Sequence, residues 1–483
     1  MSLFGEHLKT IIDTNKINIY GLAKSAGLER TFIHKIMSDG RIPSDEYVSR
    51  LADALPLTPE ERLRLMESFN VSKIGEFKHR QRIQVKDLIE SMAHIESEDR
   101  AVHCGGVIGN SLLSDTNTTA IGGFAVNNLV KSAIEETIGC EGRQELDFVI
   151  PESYQYFYHE LLVSFVRHPQ MQIRHIVAFS KKIDFIQKTN RNLDLLSLVL
   201  PFAFVPGTGY CPYYFYRASN DAELTQAMPY FVLTPTDKLV LISKEFNKAV
   251  LICDGGIVSL YRDSFKAMLE QATPLMRRLN SIFEVLNHYI DTDITDTGEP
   301  YHMIEPEPCI GQFATDELWN QHVRQEIENR ETLVGLFLKH LGLLRKNQLR
   351  TINACTTDGL SRIISTGHTY YAPQELIEPF SRDSLKEILV AMRESIAGGK
   401  AKVLFTNPSK IAVPSKTILS INKKMGINIV MHKDNSSDFR AVYFSEDSIN
   451  EAFVDFVESI EGSGLVYTEA DSLTTLDSVI RGL

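Results

Sequence analysis

The sequence lacks any apolar run long enough to cross a bilayer. Its longest, residues 195–205, falls well short of the roughly 20 residues a spanning helix needs, and Pro201 interrupts it. The amino terminus has neither the cationic segment nor the apolar core of a secretory signal, so a cytoplasmic protein without membrane attachment is expected. Cysteine is sparse and dispersed. Cys104, Cys140, Cys211, Cys253, Cys309 and Cys355 form no Cys-x-x-Cys pair, and no histidines stand at ligand spacing beside them. This argues against a structural zinc site and for reduced, mostly buried thiols. No metal or cofactor is expected.

Catalytic signatures are missing too. There is no Gly-x-Ser-x-Gly elbow, no His-Glu-x-x-His, no Walker loop and no His-x-Glu with a paired Cys-x-x-Cys. Cys104-Gly-Gly-Val-Ile-Gly109 is glycine-rich but lacks Gly-x-Gly-x-x-Gly spacing and reads as a plain loop, while Gly399-Lys400 is followed by Ala401 where a phosphate loop needs Ser or Thr. Asp291, Asp293 and Asp296 fail the calcium-loop pattern, because Asp296 stands where the invariant glycine belongs and His302 where the bidentate glutamate belongs. A non-enzymatic protein is expected.

What the chain does have is an asymmetric charge and one specific stretch. The formal net charge is -12 over 483 residues, long enough for two to four domains. Residues 1–86 carry 14 Lys+Arg against 11 Asp+Glu, leaving 36 against 51 for the rest. An acidic body is repelled by a phosphate backbone and turns the basic head toward it.

In that head Phe4, Leu8, Ile11 and Ile12 recur at helical spacing. Asn18 can cap a second helix running to Ala26, and residues 29–38 make a third. Between them Gly27 permits the turn and leaves no Cβ between the helices. Ser44 can cap a fourth helix with Val48, Leu51, Ala52 and Leu55 on one stripe. Thr58-Pro59-Glu60-Glu61 is a capping box opening a fifth, which buries Leu65, Met66 and Phe69.

Leu22-Ala23, Gly27-Leu28, Ile33 and the Gly40-Arg41-Ile42-Pro43-Ser44 turn ahead of Leu51-Ala52-Asp53-Ala54-Leu55 resemble the helix-turn-helix regulators of the lambda repressor/Cro (XRE) type. The likeness covers residues 1 to about 70. It implies an all-α, five-helix DNA-binding head that acts as a homodimer on double-stranded DNA. It also implies that residues of the third helix and the turn after it, Arg30, Thr31, His34, Lys35, Ser38 and Arg41, face bases or phosphates. The chain departs from that family at Ile19, where a phosphate-contacting Gln is common, and at Glu29, where a small capping residue is usual.

Residues 73–100 read as a helical connector. Its first half is basic, with Lys78, Arg80 and Arg82 as DNA-backbone contacts and Lys86 beyond them. Its second half, with Val85, Leu88, Ile89 and Met92, is either a dimer seam or a face packed on its own body. Beyond it the period shifts between helix and strand, giving a large α/β body. Residues 124–139 and 151–167 read as helices. Residues 173–179, 195–205, 239–243, 249–253 and 257–261 read as strands, and a capped helix opens at Asp263. A proline- and acid-rich stretch, 291–308, reads as a linker. After it, 317–344 and 383–397 read as helical, 402–405, 427–431 and 440–444 as strands, and Asp447-Ser448 caps a further helix.

The same order of elements at 198–269 and 402–458 indicates two related lobes. Duplicated α/β lobes resemble those of phospholipase-like nucleases, but the His-x-Lys signature of that family is absent from them. The densest unusual patch is Gly207-Thr-Gly-Tyr-Cys-Pro-Tyr-Tyr-Phe-Tyr216. Its Tyr210, Tyr213, Tyr214 and Tyr216 either line a ligand cleft or plug a domain interface.

The expected organisation is therefore multidomain: a DNA-binding head (1–72), connector (73–100), first sensor lobe (101–290), linker (291–315) and second sensor lobe (316–483). The expected function is a sequence-specific transcriptional regulator whose body dimerises and senses a small-molecule effector. The alternatives are a body that binds a regulatory protein, as in antitoxin-like or phage-control regulators, and an enzyme tethered to DNA.

Overall fold

Apolar residues at helical spacing, with side-chain caps at the starts of the first, second and fifth helices, close the first unit of the chain. The structure, a computed structural model, describes residues 2–98, 113–180, 190–205, 207, 209–217, 230–291, 299–370, 374–432 and 439–483. Helices α1 (Leu3–Thr14), α2 (Ile19–Ala26), α3 (Arg30–Asp39), α4 (Asp45–Ala54) and α5 (Pro59–Ile74) pack around Phe4, Leu8, Ile12, Ile33, Ile36, Val48, Leu51, Leu65 and Phe69. Met66 is only half-buried. The Asn18 side chain accepts from the Tyr20 amide, and Thr58 and Glu61 form the capping box in both directions. Ser44 holds the cap position of α4 but makes no capping bond; Asp45 and Glu46 in the first turn instead face the positive end of the helix dipole.

Gly27 ends α2 in the left-handed region, at φ 64°, with the Leu28 amide donating to Ala23 O at 2.9 Å. A Cβ there would meet nothing within 4 Å, so the dihedral demands glycine and interhelical crowding does not. Crowding acts at Gly5 instead, where a Cβ would lie 2.3 Å from Ile36 O, the backbone of α3. Gly5→Ala is expected to force α1 off α3 at a cost of about 1–3 kcal/mol, typical of overpacking. The readout is faster amide hydrogen exchange in α1 and α3 with unchanged exchange in the body.

The chain forms two compact units, one made from the described parts of 1–83 and 183–190 and the other from the described parts of 84–182 and 191–483. Helix α6 (Glu76–Glu98) contributes its residues from Gln84 onward to the second. There Val85, Leu88, Ile89 and Met92 are buried in the body's main core. The apolar stripe considered as a dimer seam is thus consumed internally, because it matches apolar surface on its own chain.

The second unit is built on two mixed sheets. Strands β1 (Thr118–Ile121), β2 (Glu145–Val149), β3 (Gln172–Ser180), β4 (Tyr210–Arg217), β5 (Tyr230–Leu233), β6 (Leu239–Ile242), β7 (Lys248–Ile252) and β8 (Thr273–Pro274) form one, in the order β1-β7-β6-β5-β2-β3-β4-β8. Strands β9 (Met276–Leu279), β10 (His302–Ile304), β11 (Ile352–Cys355), β12 (Lys402–Phe405), β13 (Thr417–Asn422), β14 (Gly426–His432) and β15 (Phe439–Phe444) form the other, in the order β12-β11-β10-β13-β14-β15-β9. The first lobe also holds α7 (Gly123–Gly139), α8 (Gln155–Arg167), α9 (Arg191–Ala203) and α10 (Gly255–Gln271). The second holds α11 (Ile282–Asp291), α12 (Asp316–His322), α13 (Arg330–Asn347), α14 (Thr357–Thr366), α15 (Arg382–Ala397), α16 (Asp447–Glu458) and α17 (Glu469–Gly482).

The two sheets follow one plan. Strands β2, β3 and β4 are parallel neighbours, as are β10, β11 and β12. An antiparallel meander then returns, β5-β6-β7 or β13-β14-β15, so that its first strand pairs with β2 or β10. The strand that opens each lobe, β1 or β9, pairs with the last of the meander. The duplication spans 118–271 and 276–458, wider than the windows expected from sequence.

Several expectations are corrected. Residues 195–205 lie largely in α9, not in a strand: Arg278 Nη1 donates to Ala203 O at 2.7 Å, and Arg440 donates to Phe204 O. Two cations from distant strands therefore satisfy the carbonyls at this helix's end. Residues 257–261 belong to α10, because the Asp254 carboxylate accepts from the Ile257 amide at 3.0 Å and starts the helix there, leaving Asp263 in mid-helix. Glu446, not Asp447 or Ser448, caps α16, through the Ile449 amide at 2.9 Å.

The stretch 291–315 is not a linker in its described part. Residues 301–312 are all buried and include β10, so their prolines and carboxylates lie inside the fold. Both Cys104-to-Gly109 and the region of Asp293 and Asp296 fall outside the described residues. Cys309 and Cys355 are buried, and Cys140, Cys211 and Cys253 are half-buried and free. Among the described residues, no helix is long and apolar enough to cross a membrane.

Candidate nucleic-acid interface

The residues flagged on α3 separate cleanly by face. Ile33 and Ile36 are fully buried in the head core, and Arg30, Thr31, His34, Lys35 and Ser38 are exposed, as is Arg41 in the turn that follows. Spacings of three and four residues put the exposed members on one side of the helix. Arg30 makes no hydrogen bond or ion pair among the described residues. The Thr31 hydroxyl donates to the Glu29 carboxylate at 3.3 Å, Ser38 Oγ donates back to His34 O at 2.8 Å, and the Arg41 guanidinium lies over the Phe32 ring at 5.1 Å. Glu29 makes no capping bond, so its charge stands at the start of α3 with Thr31 as its one side-chain partner among the described residues.

On α6, Lys78 and Arg80 are exposed, Arg82 is half-buried, and Arg80 pairs with Glu76 one turn back at 2.8 Å. The basic charge expected to meet DNA backbone is therefore partly neutralised within its own helix.

The aromatic patch behaves differently from a ligand cleft. Tyr210 is buried and packs on Phe202 and Phe165, and Tyr214 packs on Phe179. Tyr213 points to the opposite face of β4, against the small cluster under α10. Tyr216 donates to Glu446 Oε1 at 2.7 Å, tying the first lobe to the cap of α16 in the second. None of the four lines the cavity beyond the parallel strands of the second lobe. Period-two alternation on a sheet buried on both faces directs them into packing, which corrects the ligand-binding expectation.

Tyr210 also belongs to a buried chain that sequence reasoning missed. Tyr158 donates to Ile150 O at 2.7 Å, so its oxygen accepts from His175 Nε2 at 3.1 Å, and His175 Nδ1 accepts from the Tyr210 hydroxyl at 3.1 Å. Burial holds the His175 imidazole neutral, with its pKa pushed down to about 3. The folded pKa lies below the ordinary value near 6.5, so this contribution is complete above pH 6.5 and lost as pH falls toward 3. His175→Gln is expected to flatten the pH dependence of unfolding free energy across that window by about 1.4 kcal/mol per pH unit, measured by urea denaturation at a series of pH values.

Sequence also gave no sign of a cavity of about 310 Å³ in the second lobe. It lies beyond the carboxyl ends of the three parallel strands, with Pro306 following β10, Thr356 following β11 and Thr406 following β12. Arg362 of α14, Tyr370 and residues of the β12–β13 connection complete it. Its walls come from segments about 50 residues apart in the chain, so no local motif could announce it.

No family model matches the chain, and no curated protein matches it. Among solved structures, it is similar at a TM-score of 0.22 and 10% identity to TrmBL2, an archaeal chromatin protein whose structure shows a novel mode of DNA binding, over 55% of this chain and 97% of that one. A polyphosphate kinase from Porphyromonas gingivalis gives a TM-score of 0.22 and 10% identity over 76% of this chain and 56% of the kinase. A phosphatidylserine synthase from Haemophilus influenzae gives 0.23 and 9% over 80% and 97%. At these values none of them establishes a shared fold.

Proposed function

We propose that this protein is a sequence-specific DNA-binding transcriptional regulator of the lambda repressor/Cro type, acting as a homodimer. The observation that carries this reading is α3: an apolar inner face seated in the head core and an outer face offering Arg30, Thr31, His34 and Lys35 to solvent, with Ser38 and Arg41 beyond. Arg30 suits bidentate recognition of guanine, and the others can reach base edges or phosphates. Lys78, Arg80 and Arg82 add backbone contacts, and the acidic body keeps nonspecific association weak. No cofactor enters this reading.

Two heads on a two-fold site would meet half-sites about one helical turn, roughly 34 Å, apart. Fluorescence anisotropy on DNA upstream of the protein's own coding sequence tests it. Binding is expected to discriminate against scrambled DNA and to fall linearly on a log–log plot against salt. An affinity indifferent to both overturns the reading.

A second reading is favoured by one observation. The edge strand β1 ends at Ile121, 77% exposed, and is followed by Phe124, 82% exposed. Unpaired strand edges flanked by large apolar side chains receive other chains. Since α6 is used within the body, this edge could hold either a second copy or a regulatory protein. Co-purification of a stoichiometric partner, lost on Phe124→Asp with the mass of a lone chain remaining, separates the second from the first.

A further inference from the structure

We propose that the cavity beyond β10, β11 and β12 binds a small organic oxyanion, its phosphate or carboxylate group held between Arg362 and the first turn of α14, its body against the apolar wall.

The polar wall is a set of donors. Thr356 caps α14 by accepting from the Gly359 amide at 2.9 Å, while the amides of Thr357 and Asp358 have no acceptor among the described residues. Arg362 lies one turn further along the same helix and lines the same cavity. Its guanidinium sits 3.7 Å from the centre of the Tyr370 ring, which fixes its plane, and one nitrogen donates to Glu307. That carboxylate is fully buried and shared: it also accepts from the Thr369 hydroxyl and the Tyr370 amide, each at 2.5 Å. Thr369 and Tyr370 share Oε1 and Arg362 meets Oε2 through one nitrogen, so a guanidinium with five N–H donors keeps donors to spare, and its Nε is buried with no acceptor among the described residues.

The remaining polar side chains are neutral, from Thr356, Thr357, Thr406 and Ser415, apart from Asp358, which is exposed in the first turn. That single acid disfavours highly charged ligands, so the structure assigns one anionic group on a compact body. Pro306, Pro408, Ile411 and Val413 supply apolar wall, and a volume of about 310 Å³ exceeds what a bare inorganic ion fills. The place is also where open α/β sheets hold ligands, outside the carboxyl ends of parallel strands and at a helix amino terminus.

This site gives a chemical class to the effector of the regulator reading, and only its effect on DNA rests on that reading. The wall has a route to the connector: the Ala412 amide donates to Glu90 Oε1 of α6 at 3.0 Å.

The test is isothermal titration calorimetry of the full chain with phenyl phosphate, benzoate and phenol, which share a ring and differ in the head group. At least one of the two anions is expected to bind at least tenfold tighter than phenol, and which one does identifies the head group. Thr357→Pro removes one amide and one hydroxyl at a helix position that tolerates proline, behind a residue already extended at φ -103° and ψ 151°. It leaves Arg362 and Glu307 intact and is expected to weaken the preferred anion at least tenfold. Arg362→Gln is expected to abolish its preference over phenol. Equal binding of all three probes, no binding of any, or full affinity in folded Thr357→Pro overturns the site. Anion binding that leaves DNA affinity unchanged overturns its role as effector site and leaves the site standing; loss of DNA binding with and without the anion overturns the regulator reading alone.

Discussion

Replacing Arg30 by alanine is expected to weaken binding to the cognate DNA by about 10²–10⁴-fold in a dimer, since each bidentate arginine–guanine pair is worth about 1–3 kcal/mol and the loss occurs in both heads. Arg30 is exposed and has no partner among the described residues, so the head should keep its melting behaviour. The loss should also be sequence-selective: affinity for the correct site falls toward that for scrambled DNA. Lys35→Ala gives the contrast expected of a phosphate contact, a uniform weakening with a salt slope shallower by about one per head. Anisotropy titrations of both variants on matched and scrambled duplexes check this. If Arg30→Ala binds its site as wild type does, α3 does not read the sequence.

The second large effect concerns stability. Trp319→Ala is expected to cost the body about 3–5 kcal/mol, the usual price of a large aromatic cavity. Trp319 is fully buried, its indole donates to Gly311 O at 3.0 Å, and Phe337 and Phe380 meet it edge-on at 4.8 and 5.1 Å. Truncation removes those contacts and strands the Gly311 carbonyl without its partner. Urea unfolding followed by far-ultraviolet circular dichroism reads the change, and a loss under 1 kcal/mol would show that the site collapses without cost. Trp319→Phe, which keeps the ring but not the donor, should fall between.

The head was legible because its signals are local. Each helix carries its own stripe within about eleven residues, Thr58 and Glu61 cap each other across three, and Gly27 is dictated by its own dihedral. The exposed set on α3 follows from period alone once Ile33 and Ile36 are taken as core. Strands β3, β6 and β7 were readable for the same reason, as short runs of β-branched and aromatic residues bounded by turns.

Two misreadings were local, caps assigned to the wrong residue where Asp254 starts α10 and Glu446 starts α16; the others trace to partners far away in the chain. An unbroken apolar run such as 195–205 suits a buried helix or a buried strand equally, and only Arg278 and Arg440 on the other sheet, by meeting the carbonyls of its last turn, decide for helix. Prolines and acids at 300–308 look like solvent-exposed sequence, yet Glu307 is buried because Arg362, Thr369 and Tyr370 converge on it. The tyrosines of β4 look like a binding surface until a histidine and a glutamate from other elements take up their hydroxyls.

The sequence by itself determined the helical head, its caps at Asn18 and Thr58, the inward and outward faces of α3, and the presence of both helices and strands in the body. Only tertiary structure decided the pairing order of the two sheets, the burial of the carboxylates at 305 and 307, the fate of the α6 stripe and the existence of the Arg362 cavity. Periodicity and capping act within a few residues and are written into them. Burial of a charge and the shape of a cavity depend on groups brought together across 50 residues or more, and no local pattern encodes that meeting.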